Sequence, residues 1–144
     1  MRYYAVIDTN VVVSSALSRR PDSPPKRIMT AIEDRTIIPL CSEYLLREYR
    51  TVLQRDKFCF DRGDVDRLVE FMASTGILIE PGNLDYILPD PKDAPIYAIS
   101  MSVPEYDPYL VTGNIKHFPV SNRVVTPKEM MDIIDAENKR RMPD

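Results

Sequence analysis

The stretch Tyr4-Ala5-Val6-Ile7-Asp8-Thr9-Asn10-Val11-Val12-Val13-Ser14 governs how the chain is read. Tyr3–Ile7 is a short β-branched and aromatic run, which predicts a buried strand. Val11–Leu17 is apolar again and predicts a helix. Between them stands Asp8-Thr9-Asn10. An acid at the carboxyl end of a buried strand, just before a helix, lies where open α/β sheets build their sites. The same interruption spoils both a signal-peptide core and a membrane span.

Outward from this segment, short strands alternate with helices. Thr36–Leu40, Ile77–Ile79, Tyr109–Val111 and Arg123–Val125 read as further strands. Ser23-Pro24 reads as a helix start with proline at the first position, followed by Ile28, Met29 and Ile32 on the buried side. Ser42 caps a helix carrying Leu45, Leu46, Tyr49, Val52 and Leu53 at helical spacing. Asp64–Ala73 and Asp93–Met101 predict two more helices, with an irregular loop over Pro81–Pro91. The last helix opens with Thr126 as cap, Pro127 at its first position and Glu129 completing a capping box. Such alternation implies right-handed crossovers and a parallel sheet covered on both faces.

Size and composition bound the rest. The 144 residues fit one domain, expected over 1–137, with 138–144 as a frayed tail. Hydrophobic residues at 44% and charged residues at 28% exclude a disordered chain. Nineteen Lys and Arg against 22 Asp and Glu leave a net charge of −3, so nucleic-acid binding would need a local basic patch. With only 4 glycines there is no Gly-rich dinucleotide fingerprint and no P-loop. Cys41, Cys59 and His117 are too few for a Cys/His zinc site, and two cysteines make no disulfide scaffold. A reducing cytoplasm is the natural compartment.

The acids carry the chemistry. Asp8 follows the first strand, Asp93 opens a helix, Asn114 lies just past the fourth strand, and Glu48 borders an apolar helical stripe. A single hard cation can serve several carboxylates at once, and oxygen ligands without nitrogen or sulfur point to Mg²⁺ or Mn²⁺. Each acid also has a plainer reading. Asp8 and Asp93 could cap helices, and Glu48 could pair with Arg47, Arg50 or Arg55. His117 reads as a surface turn residue rather than a base. Joint placement is what favours a site.

Four motifs together resemble the PIN-domain family. Tyr4–Ser14 is similar to its opening strand, Asp-Thr-Asn and helix. Ser42–Tyr49 with Val52-Leu53 is similar to its second acidic motif, and Pro91-Lys92-Asp93-Ala94-Pro95-Ile96-Tyr97-Ala98 to its third. Tyr109-Leu110-Val111-Thr112-Gly113-Asn114, then Lys116-His117-Phe118, is similar to its fourth. The subgroup resembled is the bacterial toxin components of toxin–antitoxin pairs.

The resemblance implies a three-layer α/β/α sandwich around a mostly parallel sheet of four to five strands. It implies a metal-dependent ribonuclease in which Asp8, Glu48, Asp93 and Asn114 bind Mg²⁺ or Mn²⁺ and form the catalytic set. Many members carry aspartate where this chain has Asn114, and Asp90 could supply the missing charge. Thr9, Asn10 and Thr112 would orient the acids. Water would attack phosphorus in line, leaving a 5′-phosphate and a 3′-hydroxyl. Arg19 and Arg20 are the foremost candidates for contacting RNA, ahead of Lys26, Arg27, Arg47, Arg50 and Lys116. A homodimer, a cognate antitoxin and no membrane association are implied as well. Two rivals remain. One is a catalytically weak or inactive PIN-like module that binds RNA or protein. The other is a phospho-acceptor receiver domain, which would want paired acids after its first strand and a lysine after its last, and the chain has no Asp-Asp there and no convincing lysine.

Overall fold

The computed structural model describes residues 1–82 and 85–142. Residues 83 and 84 of the expected Pro81–Pro91 loop, and 143 and 144 of the expected tail, lie outside that description. Strand β1 (Tyr3–Ile7) is central, with Ala5, Val6 and Ile7 fully buried. Strand β2 (Ile37–Cys41) lies on one side of it and β4 (Tyr109–Val111) on the other, while β3 (Ile77–Leu78) and β5 (Val124–Val125) form the edges. Every pairing is parallel. Ala5 aligns with Pro39 on one side and Tyr109 on the other, and Leu110 aligns with Val124. Inner strands of a parallel sheet are buried on both faces, so they read as unbroken apolar runs. Pro39 is tolerated because β3 pairs only with Leu40 and Cys41, so that ladder begins beyond the proline.

Helices α1 (Thr9–Leu17) and α2 (Pro24–Glu33) link β1 to β2, and α3 (Glu43–Leu53) and α4 (Arg62–Thr75) link β2 to β3. Both connections step the same way across the sheet, so right-handed crossovers put these four helices on one face. The chain then returns past β1 to start β4. That reversal carries α5 (Ala94–Ser102) to the other face, where it packs on β1, β2 and β4. Helix α6 (Pro127–Arg141) packs against α2. The result is the expected sandwich of a parallel sheet between helical layers. No helix among the described residues is long and apolar enough to cross a membrane.

Local chemistry accounts for most boundaries. The Thr126 hydroxyl accepts from the Glu129 amide and the Glu129 carboxylate from the Thr126 amide, completing the expected capping box. Helix α6 reaches past 138. It continues through Arg141, where Glu137 accepts from Arg140 and Arg141 and cations in the last turn suit the helix dipole. Helix α4 starts two residues earlier than expected, at Arg62, because the Asp61 side chain caps it by accepting from the Asp64 amide. Helix α5 starts one residue later, after a 3₁₀ turn over Pro91–Asp93.

Gly76 joins α4 directly to β3. A Cβ there would lie 2.5 Å from the Pro39 carbonyl oxygen and 2.8 Å from that of Met72, so helix and strand can meet only without one. Gly76→Ala is expected to destabilise the fold by about 1–3 kcal/mol, whereas Gly82→Ala, with open space around its Cβ, leaves stability unchanged. Urea unfolding of the two variants checks this.

Candidate active site

The chain reverses direction across the sheet at β1 and β4, so a crevice opens beyond their carboxyl ends. Asp8 leaves β1 there, its amide bonded to the Val111 carbonyl at 2.9 Å. Its Oδ1 accepts from the Thr9 amide at 2.8 Å. Its Oδ2 accepts from the Thr112 hydroxyl at 2.8 Å and from Asn10 Nδ2 at 3.3 Å. Thr112 is fully buried, and its oxygen also accepts from the Asn114 amide at 3.0 Å. Asn10 reaches across to β4 as well, its Oδ1 accepting from the Gly113 amide at 3.0 Å. The turn after β4 is thereby tied to the turn after β1.

Glu48 comes from α3. Ser42 caps this helix by accepting from the Leu45 amide, and Leu45, Tyr49 and Leu53 bury one stripe at spacings of four. Tyr49 is fully buried, and its hydroxyl donates to the Ile7 carbonyl, the last of β1. That bond seats α3 against the strand end that carries Asp8. Glu48, one residue before Tyr49, then accepts from the Thr9 hydroxyl at 2.7 Å through Oε2.

Asp93 stands at the cap position of α5, yet its side chain makes no capping bond. Asp90 does the local capping instead, accepting from the Lys92 amide at 3.0 Å. Asp93 Oδ2 is buried and has no hydrogen-bond partner. His117 Nδ1 lies 3.3 Å from it, an ion-pairing distance. Asp8, Glu48, Asp90, Asp93, Asn114 and His117 all line one cleft of about 360 Å³, with Thr9, Asn10 and Lys92 on its wall.

The sequence profile of the PIN domain family matches residues 4–116, a span that ends two residues past Asn114. The chain belongs to the PIN-domain family. Members are typically metal-dependent nucleases. The crystal structure of PAE2754 from Pyrobaculum aerophilum is similar in fold, with a TM-score of 0.58 and 16% identity over 94% of this chain and 90% of that one. No curated protein matches the sequence.

Electrostatics set this PIN-domain cleft apart from a surface cluster. Burial raises the pKa of Asp8, Glu48 and Asp93 alike. The charge of Asp93 pushes Asp8 further up, Asp8 does so to Glu48, and Asp90 and Glu48 to Asp93. Opposing this are the Thr112 and Thr9 hydrogen bonds, Lys92 and Arg55 near Glu48, and His117 near Asp8 and Asp93. The donor set fits a divalent cation. It is all oxygen, it gathers negative charge, and Asp93 Oδ2 is a buried acceptor that meets His117 Nδ1 at 3.3 Å without a hydrogen bond. Among the described residues no three His, Cys, Asp or Glu side chains form a ready-made cage. A hydrated Mg²⁺ needs none, since it keeps several waters and takes one or two carboxylates.

Of the residues expected from sequence, Asp8, Glu48, Asp93, Asn114, Thr9 and Asn10 meet at the cleft, and Thr112 lies behind Asp8. Asp8 both caps α1 and faces the cleft, so its two readings are compatible. Glu48 takes the Thr9 hydroxyl, while Arg50 pairs with Asp66. Arg19 and Arg20 are not brought to the cleft. They follow the far end of α1, nine residues and about 13 Å along the axis from Asp8, where Arg20 pairs with Asp22. Three contributors escaped the sequence reading. His117 read as a surface turn residue, but the turn after Asn114 brings it to Asp93. Lys92 was passed over inside the third motif. Tyr49 read only as an apolar position, and its place beside Glu48 was the one available signal.

A carboxylate whose pKa is raised on folding binds protons more readily folded than unfolded. Its effect is therefore destabilising at neutral pH and fades as pH falls toward the ordinary carboxylate range, near about 4. Glu48→Gln should raise the Tm of the metal-free protein at pH 7, and the gain should shrink as the pH drops. Thr112→Val should weaken Mn²⁺ affinity by about 10- to 100-fold. Scanning calorimetry across pH and calorimetric Mn²⁺ titration read the two effects.

Proposed function

We propose that this PIN domain is a Mg²⁺- or Mn²⁺-dependent endoribonuclease. The carrying observation is the set of three buried-edge carboxylates in one cleft, with Asp93 Oδ2 left without a hydrogen bond. Asp8, Glu48, Asp93 and Asn114 would hold the ion, one or two of the carboxylates directly and the others through its waters. When bound, it supplies positive charge against the phosphoryl oxygens and lowers the pKa of a water. Asp8 keeps its orientation through Thr9, Asn10 and Thr112, and Glu48 through Thr9. One of these carboxylates steers the attacking water. His117 holds Asp93 in place. The P–O3′ bond breaks, leaving a 5′-phosphate and a 3′-hydroxyl. Lys92 provides positive charge at the rim for the RNA backbone.

The motif resemblance supports a biological role as the toxin of a toxin–antitoxin pair, with a cognate antitoxin as partner. It also supports a homodimer formed through apolar helix surfaces, and Met101 on α5 is an exposed apolar side chain of that kind. Cys41 and Cys59 are both free thiols, which suits the cytoplasm. A second reading, a non-catalytic module for RNA or protein binding, draws on Asn114, which brings one charge fewer than aspartate.

Cleavage of end-labelled single-stranded RNA with Mn²⁺, Mg²⁺ or EDTA tests the proposal. Wild type should cut only with the metals, and Asp8→Ala should lose more than about 100-fold. Asn114→Asp should raise cutting at limiting metal. Folded wild type that neither cuts several RNAs nor gains Tm with Mn²⁺ would favour the module. Lys92→Glu should lower RNA affinity more than reversal of Arg19 and Arg20 together, as read by fluorescence anisotropy at low salt.

A further inference from the structure

A second cavity, of about 410 Å³, opens beside the acidic cleft and plays no part in the reaction described above. Its walls come from the same two elements that carry Glu48 and Asp93. Tyr44 is one helical turn before Glu48 on α3, so the two side chains share a face. Pro95 is two residues after Asp93. Leu78 and Ile79, at the sheet edge, close the far side with Pro81. Leu78 is 62% exposed, an apolar side chain left open to solvent on that wall.

The chemistry of the lining discriminates between ligands. Tyr44 is half-buried and neutral: burial first, then the charges of Glu48, Asp93 and Asp90, push its phenol up. Tyr44 and Glu48 four apart on α3, and Pro95 two residues after Asp93, set the cavity next to the acidic cleft. Arg47 offers a guanidinium at the mouth, free to meet a phosphate or stack on a ring. Glu43 and Glu80 also line the cavity. Two carboxylates disfavour a phosphate inside it, whereas they can accept hydrogen bonds from a base amino group. A flat, uncharged ring with donors at its edge suits every wall: aromatic and aliphatic surface for its face, carboxylates for its edge. The turn between Tyr44 and Glu48 rises about 6 Å along the helix, a reach that one nucleotide covers.

We propose that this cavity is a nucleobase subsite, in which Tyr44 stacks on the base of the nucleotide adjoining the scissile phosphate while Arg47 pairs with that nucleotide's phosphate. The inference rests on the nuclease reading for its placement, since the acidic cleft is taken to hold the scissile phosphate. Stacking on an aromatic side chain tolerates different bases. The subsite therefore fits unpaired RNA, because a base inside a duplex cannot enter a cavity.

The test separates the subsite from the chemistry. Short single-stranded RNAs carrying 2-aminopurine at successive positions are bound to the full chain in EDTA, where no metal-dependent cutting occurs. One position should be quenched with wild type and with Tyr44→Phe, and the quenching should be lost with Tyr44→Leu. Affinity should fall about 5- to 150-fold in Tyr44→Leu. Arg47→Ala, at an exposed position that leaves the core intact, should weaken binding and lower the slope of log affinity against log salt by about 1. Quenching absent in wild type, or unchanged in Tyr44→Leu, overturns the subsite whether or not the RNA is cut with Mn²⁺. Quenching as expected with no cutting under any metal overturns the nuclease reading and leaves the base site standing.

Discussion

Three carboxylates drawn into one crevice repel one another and lose water, and the architecture is organised around tolerating that. Two like charges about 4 Å apart repel by about 4 kcal/mol at an effective dielectric constant near 20. Hydrogen bonds to a charged group each return about 1.5–3 kcal/mol. Asp8 therefore needs its three donors, and they are neutral: the Thr9 amide, the Thr112 hydroxyl and the Asn10 amide. Neutral donors stabilise the charge without cancelling it. An arginine in the same place would have satisfied the acids and left nothing to attract a cation.

The sheet order places those donors. Because β4 returns to the free side of β1, the turns after the two strands lie side by side. Thr112, 104 residues from Asp8, can then reach its carboxylate. Helix α3 is seated by an independent bond, from the Tyr49 hydroxyl to the end of β1. The Asp8–Glu48 relation thus depends on backbone and packing more than on either acid. Since α3 also carries Tyr44 and Arg47, seating it fixes the neighbouring cavity with the same bond.

Much of the plan was legible in short-range pattern. The strands were readable because buried parallel strands are unbroken apolar runs. Most helix starts were readable because Ser42, Thr126 and Pro127 follow capping chemistry. The boundaries that moved did so for identifiable reasons. Asp61 caps α4 and lets it begin at Arg62, and the 3₁₀ turn at Pro91–Asp93 delayed α5. Helix α6 runs on into the expected tail, to Arg141, where Arg140 and Arg141 pair with Glu137.

The candidate site divides in the same way. Asp8, Glu48, Asp93 and Asn114 stood out in the sequence because each sits at a strand end, a helix start or beside an apolar helical stripe, and the family resemblance added Thr9, Asn10 and Thr112; the fold brings six of these seven to one cleft, with Thr112 behind Asp8. Sequence alone determined the parallel α/β class, because strand and helix periods are set locally. Tertiary structure decided what could not be local. It brought His117 to Asp93, left Asp93 without its capping bond and put Lys92 on the cleft wall. Those outcomes depend on which side of β1 the fourth strand joins and on how α3 seats against β1. Both are set by contacts between residues tens of positions apart, which no local periodicity encodes.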